Sequence, residues 1–237
     1  MTTSIEDRAF AVTVDLPGHG ASLGLPPEAY TIEGAARAVV GVLDEVGSER
    51  AAIVGYSMGG RLALYLALRH SERCAGLFLE SASPGLKSTD ERALRRAVDE
   101  EKALRLESEG FETFLRYWYR QPIFASLARN EKLLRCTIEA RLRNDPAELA
   151  RSLRGMGTGV QPSLWEGVAE TSVPTLAVAG ELDEKFVEIA HRMAALNPRI
   201  ETAIVPGAGH SVHAEAPKGY VALLKDFLAG PYNLSHD

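Results

Sequence analysis

A serine flanked by glycines lies between two apolar runs, in the segment Gly55-Tyr56-Ser57-Met58-Gly59. The run before it, 51–54, has the short apolar pattern of a buried strand, and the run after it, 61–68, is typical of a helix. Such a serine lies on a sharp strand-to-helix turn, which holds its backbone in a sparsely populated conformation. Glycines two residues to either side let neighbouring backbone pass close to the turn without a Cβ clash. We predict that the Ser57 hydroxyl is exposed above the end of the strand.

A serine hydroxyl is a weak nucleophile or base at neutral pH, so it needs a histidine to take its proton and a carboxylate to orient that histidine. After a serine turn of this kind, the acid follows a later strand and the histidine lies in the loop after the next one. The apolar run 174–180 leads into Asp183. The later run 201–205 leads into His210, which lies in a glycine-containing loop. The candidate triad is therefore Ser57, Asp183 and His210.

Other assignments for these positions stay open at this level. Asp183 also fits a cap for a helix starting near Lys185, and Glu181 is a second candidate for the acid, although the motif position favours Asp183. His213 is expected to support the site or to contact the substrate, and His19 is expected to be structural. The remaining histidines are expected at the surface or at helix ends: His70, His191 and His236.

The composition is that of an enzyme with one catalytic domain. A chain of 237 residues, 46% of them hydrophobic, can bury a substantial core, and its length fits a single α/β domain. The net charge of −6 argues against a nucleic-acid partner. Residues 1–8 include Glu6 and Asp7 and no long apolar stretch. We therefore expect no signal peptide, no membrane association and a cytoplasmic location.

No residue pattern indicates a metal or an organic cofactor, because the sequence has neither a cluster with ligand spacing nor a glycine-rich phosphate loop. The two cysteines, Cys74 and Cys136, lie far apart in apolar contexts. Both are expected to be reduced core residues. The sequence carries no signal of the oligomeric state.

Strand and helix patterns alternate along the chain, which indicates a parallel sheet flanked by helices. The expected elements are a strand near 10–14, a helix near 31–46, a strand at 51–56, a helix at 59–70, a strand at 75–81, and further strands from about 174. From about 86 to 165 the apolar spacing is helical. We expect this segment to be a helical cap over Ser57, inserted into a single domain that spans 1–237.

Several motifs together resemble one enzyme family. They are Tyr56-Ser57-Met58-Gly59-Gly60-Arg61, Glu80-Ser81-Ala82-Ser83-Pro84-Gly85-Leu86 followed by Glu91-Arg92, Trp118-Tyr119-Arg120-Gln121-Pro122-Ile123-Phe124, Gly157-Thr158-Gly159-Val160-Gln161-Pro162-Ser163-Leu164, Gly180-Glu181-Leu182-Asp183-Glu184-Lys185-Phe186 and Gly207-Ala208-Gly209-His210-Ser211-Val212-His213. From about Phe10 to Leu228 the chain resembles the 2-succinyl-6-hydroxy-2,4-cyclohexadiene-1-carboxylate synthases of menaquinone biosynthesis. The resemblance implies an α/β-hydrolase fold, with a mostly parallel sheet, flanking helices and an inserted helical cap.

The resemblance also implies a lyase that uses the triad as a base. In that family the serine removes a carbon-bound proton from 2-succinyl-5-enolpyruvyl-6-hydroxy-3-cyclohexene-1-carboxylate, and pyruvate is lost without water as a reactant. The three carboxylates of this small-molecule substrate call for arginines, because a guanidinium binds a carboxylate through two parallel hydrogen bonds. The matching residues are the arginines Arg61, Arg92 and Arg141, the aromatic pocket walls Tyr56 and Trp118, and Met58, whose backbone N–H is the oxyanion donor.

Most of the substrate-binding assignments have a plainer alternative. Arg61 is the best placed, since it lies one helical turn beyond the serine. Arg92 can instead pair with a glutamate on its own helix, and Arg143 lies only two residues from Arg141. Trp118 can instead anchor the core of the helical cap, which needs large apolar side chains.

The chain departs from this family before Phe10. The family has an apolar strand there, ending in a His-Gly motif whose loop donates a second backbone N–H to the oxyanion, and residues 1–9 contain no such strand or motif. We therefore expect N-terminal strands of the fold to be missing, and a lost donor costs on the order of a hundredfold in rate. A start site placed too late and a short protein that compensates elsewhere both explain the departure.

Two other functions fit the same residues. A serine esterase or carbon–carbon bond hydrolase would use the triad through an acyl or hydrated intermediate and would turn over activated esters. A truncated, catalytically impaired form would bind the polycarboxylate without turnover.

Overall fold

The computed structural model describes Ile5 and residues 9–230 of the chain. Over these residues the strands are β1 (Ala51–Tyr56), β2 (Cys74–Glu80), β3 (Thr175–Gly180) and β4 (Ile200–Val205). The helices are α1 (Ile32–Glu45), α2 (Met58–Arg69), α3 (Thr89–Ser108), α4 (Phe111–Trp118), α5 (Ala125–Ala128), α6 (Glu131–Arg141), α7 (Pro146–Met156), α8 (Trp165–Glu170), α9 (Glu184–Leu196), α10 (Val212–Glu215) and α11 (Pro217–Ala229).

The strands form one parallel sheet in the order β1-β2-β3-β4. Tyr56 pairs with Glu80, Glu80 with Val178, and Val178 with Ala203. Because all strands run in the same direction, the loops that follow them leave the sheet at one edge. The register therefore brings the segments after β1, β3 and β4 close together.

The core on one face of this sheet is formed by the apolar side of α11. Tyr220, Leu224 and Phe227 recur at helical spacing, so they line one face of the helix. The ring of Phe78 on β2 lies 5.2 Å from the ring of Tyr220 and 5.6 Å from that of Phe227. The same buried cluster includes Ile5, Val178, Val205, Ala208 and Val212. Burial of this apolar surface stabilises the sheet and the two loops after β3 and β4.

The strand predicted near 10–14 is not formed, which corrects the sequence-based expectation. Residues 9–16 have no regular secondary structure, and the Phe10 side chain is 90% exposed. A strand is stabilised only by a neighbour that completes its hydrogen bonds, and no described strand pairs with this segment. On the side of β1 that faces away from β2, no described strand pairs with it, and Val54 on β1 is 43% exposed. Alternating apolar residues alone did not produce a strand.

The described residues group into two compact units. One unit contains the sheet and residues 40–83 and 166–230, and the other contains residues 14–39 and 84–165. The 86–165 segment forms helices and turns, as its spacing predicts. That it covers Ser57 stays a prediction.

Helices α3 and α7 pack together in the second unit. Helix α3 begins with a capping box, in which Ser88 Oγ accepts from the Glu91 N–H and the Glu91 carboxylate accepts from the Ser88 N–H. Arg154 on α7 donates to Glu100 at 2.8 Å and to Glu107 at 2.5 Å, both on α3. These ion pairs join the two helices along their exposed side.

The two cysteines differ in environment. Cys74 is buried at the start of β2, as expected, and burial raises the pKa of its thiol to about 11. Cys136 is exposed on α6, so its assignment to the core is wrong. The helix presents Ile138 to its core cluster, and Cys136, two residues earlier, lies off that face. Within the described ranges, no helix is both long and apolar enough to cross a bilayer.

Candidate active site

Ser57 lies on the turn between β1 and α2, as the glycine-flanked motif predicts. Its φ of 49° and ψ of −104° are strained values for a residue with a side chain. A Cβ on Gly55 would lie 2.5 Å from the Gly59 carbonyl oxygen, and one on Gly60 would lie 2.5 Å from the Ala82 Cβ. A Cβ on Gly59 would meet nothing within 4 Å. The close approaches that require glycine are thus at Gly55 and Gly60, and the prediction that Gly59 serves this purpose is wrong.

The structure brings Ser57, His210 and Asp183 into one chain of hydrogen bonds. The Nε2 atom of His210 lies 3.1 Å from Ser57 Oγ, and its Nδ1 atom lies 2.7 Å from Asp183 Oδ2. The side chains of His210 and Asp183 are 2% and 7% exposed. With Nδ1–H donating to the carboxylate, Nε2 is the nitrogen that accepts the serine proton. The arrangement can therefore deprotonate Ser57 and hold the positive charge that His210 acquires.

The two alternatives for Asp183 can be compared with this geometry. Asp183 is the N-cap residue of α9, yet its side chain makes no capping hydrogen bond. The carboxylate of Glu181 accepts from the Gly207 N–H at 2.9 Å. Asp183, which follows β3 by three residues, is the carboxylate that faces His210.

The loop that carries His210 is held on both sides of this residue. One carboxylate oxygen of Glu215 accepts from the Gly209 N–H at 3.0 Å, and the other accepts from the Ser211 N–H at 3.1 Å. The ring of Phe186 lies 4.8 Å from the His210 ring. Backbone and ring are thus fixed independently of the Ser57 contact.

Helix α2 presents its first turn beside Ser57. The Met58 N–H is the first amide of the helix, where the backbone has no intrahelical acceptor and the helix dipole favours negative charge. This position suits the predicted oxyanion donor. The backbone N–H of Arg61 donates to the Ser57 carbonyl at 3.0 Å, and the half-buried Arg61 side chain starts one turn beyond the serine.

Tyr56 contacts two histidines. Its ring centroid lies 5.4 Å from that of His210 and 4.7 Å from that of His213, the second contact being edge to face. Its hydroxyl shares a hydrogen bond of 2.9 Å with Ser211 Oγ. These contacts place Tyr56 beside both histidines, and its role as a pocket wall stays a prediction.

The predicted substrate contacts of the helical segment belong to the second unit. Arg92 donates to the carbonyls of Leu86 at 3.1 Å and Lys87 at 3.0 Å and to the Thr89 hydroxyl at 3.4 Å, so its guanidinium binds the preceding loop and the first turn of α3. The Trp118 ring stacks on Phe114 with centroids 6.0 Å apart. Arg141 is exposed at the end of α6. Their roles in substrate binding stay predictions.

One pair beside the site was not foreseen. Glu80 is fully buried at the end of β2, and His213 Nδ1 lies 2.8 and 2.9 Å from its two carboxylate oxygens. The sequence did carry a signal of this pair, namely a glutamate at the end of an otherwise apolar strand. A carboxylate in such a strand is buried only when it has hydrogen-bonding partners.

The other histidines lie away from this chain of hydrogen bonds. His19 Nδ1 lies 3.3 Å from the Pro17 carbonyl, consistent with a structural place. His70 follows the end of α2, His191 is exposed on α9, and His236 lies outside the described residues. Among the residues that the structure describes, no group of three His, Cys, Asp or Glu side chains could hold a metal ion.

Comparisons with known proteins extend over most of the chain. Residues 5–223 match the model of the "Alpha/beta hydrolase family". A Bacillus subtilis (strain 168) protein named "Putative 2-succinyl-6-hydroxy-2,4-cyclohexadiene-1-carboxylate synthase" is 39% identical over 219 residues, 92% of this chain and 80% of that protein. The 2-succinyl-6-hydroxy-2,4-cyclohexadiene-1-carboxylate synthase of Serratia proteamaculans (strain 568) is 35% identical over 222 residues, covering 93% and 84%. The solved structure of MenH from S. aureus matches with a TM-score of 0.88 at 36% identity, covering 93% of this chain and 83% of that one.

Proposed function

This chain belongs to the α/β-hydrolase family and, within it, to the 2-succinyl-6-hydroxy-2,4-cyclohexadiene-1-carboxylate synthases, and we propose that it catalyses pyruvate elimination in menaquinone biosynthesis. The substrate is 2-succinyl-5-enolpyruvyl-6-hydroxy-3-cyclohexene-1-carboxylate. The observation that carries the proposal is the buried hydrogen-bonded chain of Ser57, His210 and Asp183 in a member of this family. A triad of this kind supplies a base, which is what an elimination requires.

The proposed reaction starts with proton removal from a ring carbon. Ser57 Oγ takes this proton while His210 Nε2, at 3.1 Å, takes the hydroxyl proton of Ser57. The carbon–oxygen bond to the enolpyruvyl group breaks, a carbon–carbon double bond forms in the ring, and the departing pyruvate enolate takes up a proton. Asp183 stabilises the imidazolium that exists between these steps. No water is consumed.

The charges of the substrate suit the residues proposed to bind it. Arg61, on the helix that starts at the serine turn, offers a guanidinium fork to one carboxylate. Arg92 and Arg141 would take the others, and Tyr56 and Trp118 would bound the ring. The Met58 N–H would stabilise the negative charge that develops as the proton leaves.

The proposal is tested by pyruvate release measured with lactate dehydrogenase and NADH. We expect Ser57→Ala to lower kcat by roughly a thousandfold or more, because the base is removed. Ser71→Ala, which removes a hydroxyl from the exposed turn after α2, is the matched control and should keep full activity. Circular dichroism of all three proteins establishes that they are folded.

A folded wild-type protein that releases no pyruvate would overturn the proposal. Ser57-dependent hydrolysis of p-nitrophenyl acetate without pyruvate release would instead identify an esterase. Binding of the tricarboxylate without turnover would identify a ligand-binding form.

A further inference from the structure

The buried carboxylate of Glu80 is satisfied chiefly by the segment that follows His210. Its Oε1 accepts from the backbone N–H of His213 at 3.0 Å, and the ring Nδ1–H of His213 donates to the same carboxylate at 2.8 Å. The Tyr220 hydroxyl also bonds to Glu80, and burial raises the pKa of that hydroxyl above its usual range. A carboxylate with no exposed surface needs such donors, because its desolvation is otherwise uncompensated.

The backbone of Glu80 holds the turn that carries Ser57. The Glu80 carbonyl accepts from the Ser57 N–H at 2.8 Å, at the point where Tyr56 pairs with Glu80 in the sheet. The next residue, Ser81, has a φ of 47° and donates its N–H to the Val178 carbonyl. Glu80 is thus tied through its carbonyl to Ser57 and through its carboxylate to His213.

His213 is coupled to His210 over a short path. Two residues separate them along the chain, and the ring of Tyr56 contacts both. His213 lies on α10, whose Glu215 binds the N–H groups on either side of His210. A shift of α10 would therefore move the His210 backbone.

We propose that Glu80 and His213 are positioning residues that keep His210 within hydrogen-bonding distance of Ser57. Glu80 serves as a common anchor for the two segments that must meet, the turn carrying Ser57 and the loop carrying His210. The inference rests on the proposed function in taking Ser57 and His210 as the reacting pair. Loss of the His213 ring donor leaves only the backbone N–H of His213 to hold α10 against Glu80, so that the distance between His210 Nε2 and Ser57 Oγ is fixed less firmly. Displacements of about 1 Å at reacting groups cost on the order of a hundredfold in rate.

The test compares two substitutions of similar size at position 213. In His213→Asn the amide nitrogen occupies the place of Nδ1 and can still donate to Glu80, whereas in His213→Gln it reaches toward the place of Nε2. His213→Ala removes the ring altogether. His191→Asn, on the exposed face of α9, is the control for a histidine substitution outside the site. Circular dichroism and thermal unfolding identify the folded variants.

Two readouts are measured on the folded proteins: kcat and KM for pyruvate release, and the rate at which a fluorophosphonate probe labels Ser57. We expect His213→Gln and His213→Ala to lower kcat and the labelling rate roughly ten- to a hundredfold, with KM changed by no more than about twofold. His213→Asn should retain both rates within about threefold of the wild type.

Equal impairment of His213→Asn and His213→Gln would overturn the inference, and so would a labelling rate that none of the variants changes. If His213→Ala does not fold, the comparison of His213→Asn with His213→Gln is sufficient to test the inference. Labelling does not require the tricarboxylate. The wild type could therefore release no pyruvate and still be labelled at a rate that falls in His213→Gln but not in His213→Asn. That result would overturn the proposed function and support the inference.

Discussion

The Oδ2 atom of Asp183 lies 2.7 Å from Nδ1 of His210, and both side chains are almost entirely buried. A hydrogen bond between a carboxylate and an imidazole is strengthened where water is excluded. It also fixes the tautomer, because Nδ1 carries the proton and Nε2 is left to accept the one from Ser57. The acid therefore controls the direction in which the serine proton moves.

Replacing Asp183 should disturb the orientation of His210 without unfolding the protein. We expect Asp183→Asn to lower kcat by roughly a thousandfold or more, because the amide favours the wrong histidine tautomer. Glu181→Gln, two residues earlier, removes a carboxylate that binds the Gly207 N–H and should keep kcat within about threefold. Steady-state pyruvate release measures both. A larger loss in Glu181→Gln than in Asp183→Asn would contradict the assignment of the acid.

The ion pair that holds the buried Asp99 on α3 should matter more than the exposed pair on α4. Arg95 donates to Asp99 at 2.7 Å, and the Asp99 side chain is 5% exposed. Arg95→Ala leaves this carboxylate buried without its cation, and we expect the free energy of unfolding to fall by about 2 kcal/mol. Arg116→Ala breaks an exposed pair with Glu112 and should cost about 0.5 kcal/mol or less. Urea unfolding of the two variants gives the comparison, and equal losses would refute it.

The stability of the protein should depend on pH through His19. Burial lowers the pKa of this imidazole below 6.5, and the positive charge of Arg141 lowers it further. The unfolded chain then binds a proton at a higher pH than the folded one, so the free energy of unfolding falls as the pH drops through and below 6.5. His19→Gln should reduce this fall, whereas His191→Gln, at an exposed position, should not. Urea unfolding at about pH 7.5 and about pH 5.5 measures the difference. If the free energy of unfolding decreased equally in the wild type and in His19→Gln, the pH dependence would not come from His19.

The two thiols should differ in reactivity toward iodoacetamide. Cys74 is buried and its pKa is raised to about 11, so very little thiolate exists at about pH 8. Cys136 is exposed and should be alkylated first. Peptide mass spectrometry after timed labelling identifies the modified residue, with Cys136→Ser as the control that removes the fast reaction. Rapid labelling of Cys74 in the folded protein would be inconsistent with its burial.

Much of the secondary structure could be predicted because its signals are local. The run 51–54 extends to β1 at Ala51–Tyr56, and the helix expected at 59–70 is α2 at Met58–Arg69. The predicted α/β-hydrolase fold is confirmed. The strand near 10–14 failed for a non-local reason, since its alternating pattern found no neighbouring strand among the described residues.

The environments of individual side chains were harder to predict. Gly60, not Gly59, accommodates the close approach near the serine turn, because the partner is Ala82 on a different segment. Cys136 is exposed because of the direction in which α6 presents its apolar face. Both outcomes depend on which segments pack together, and a local pattern does not contain that information.

By itself, the sequence determined the serine turn and the order of strands and helices around it. Apolar periodicity and the need for glycine at a tight turn act within a few residues, so they can be read along the chain. The tertiary structure alone decided that Glu80 pairs with His213, a residue 133 positions away, and it settled the choice between Asp183, which the sequence favoured, and Glu181. Such pairings follow from the parallel register, which brings distant strand ends to one edge and buries their charges together.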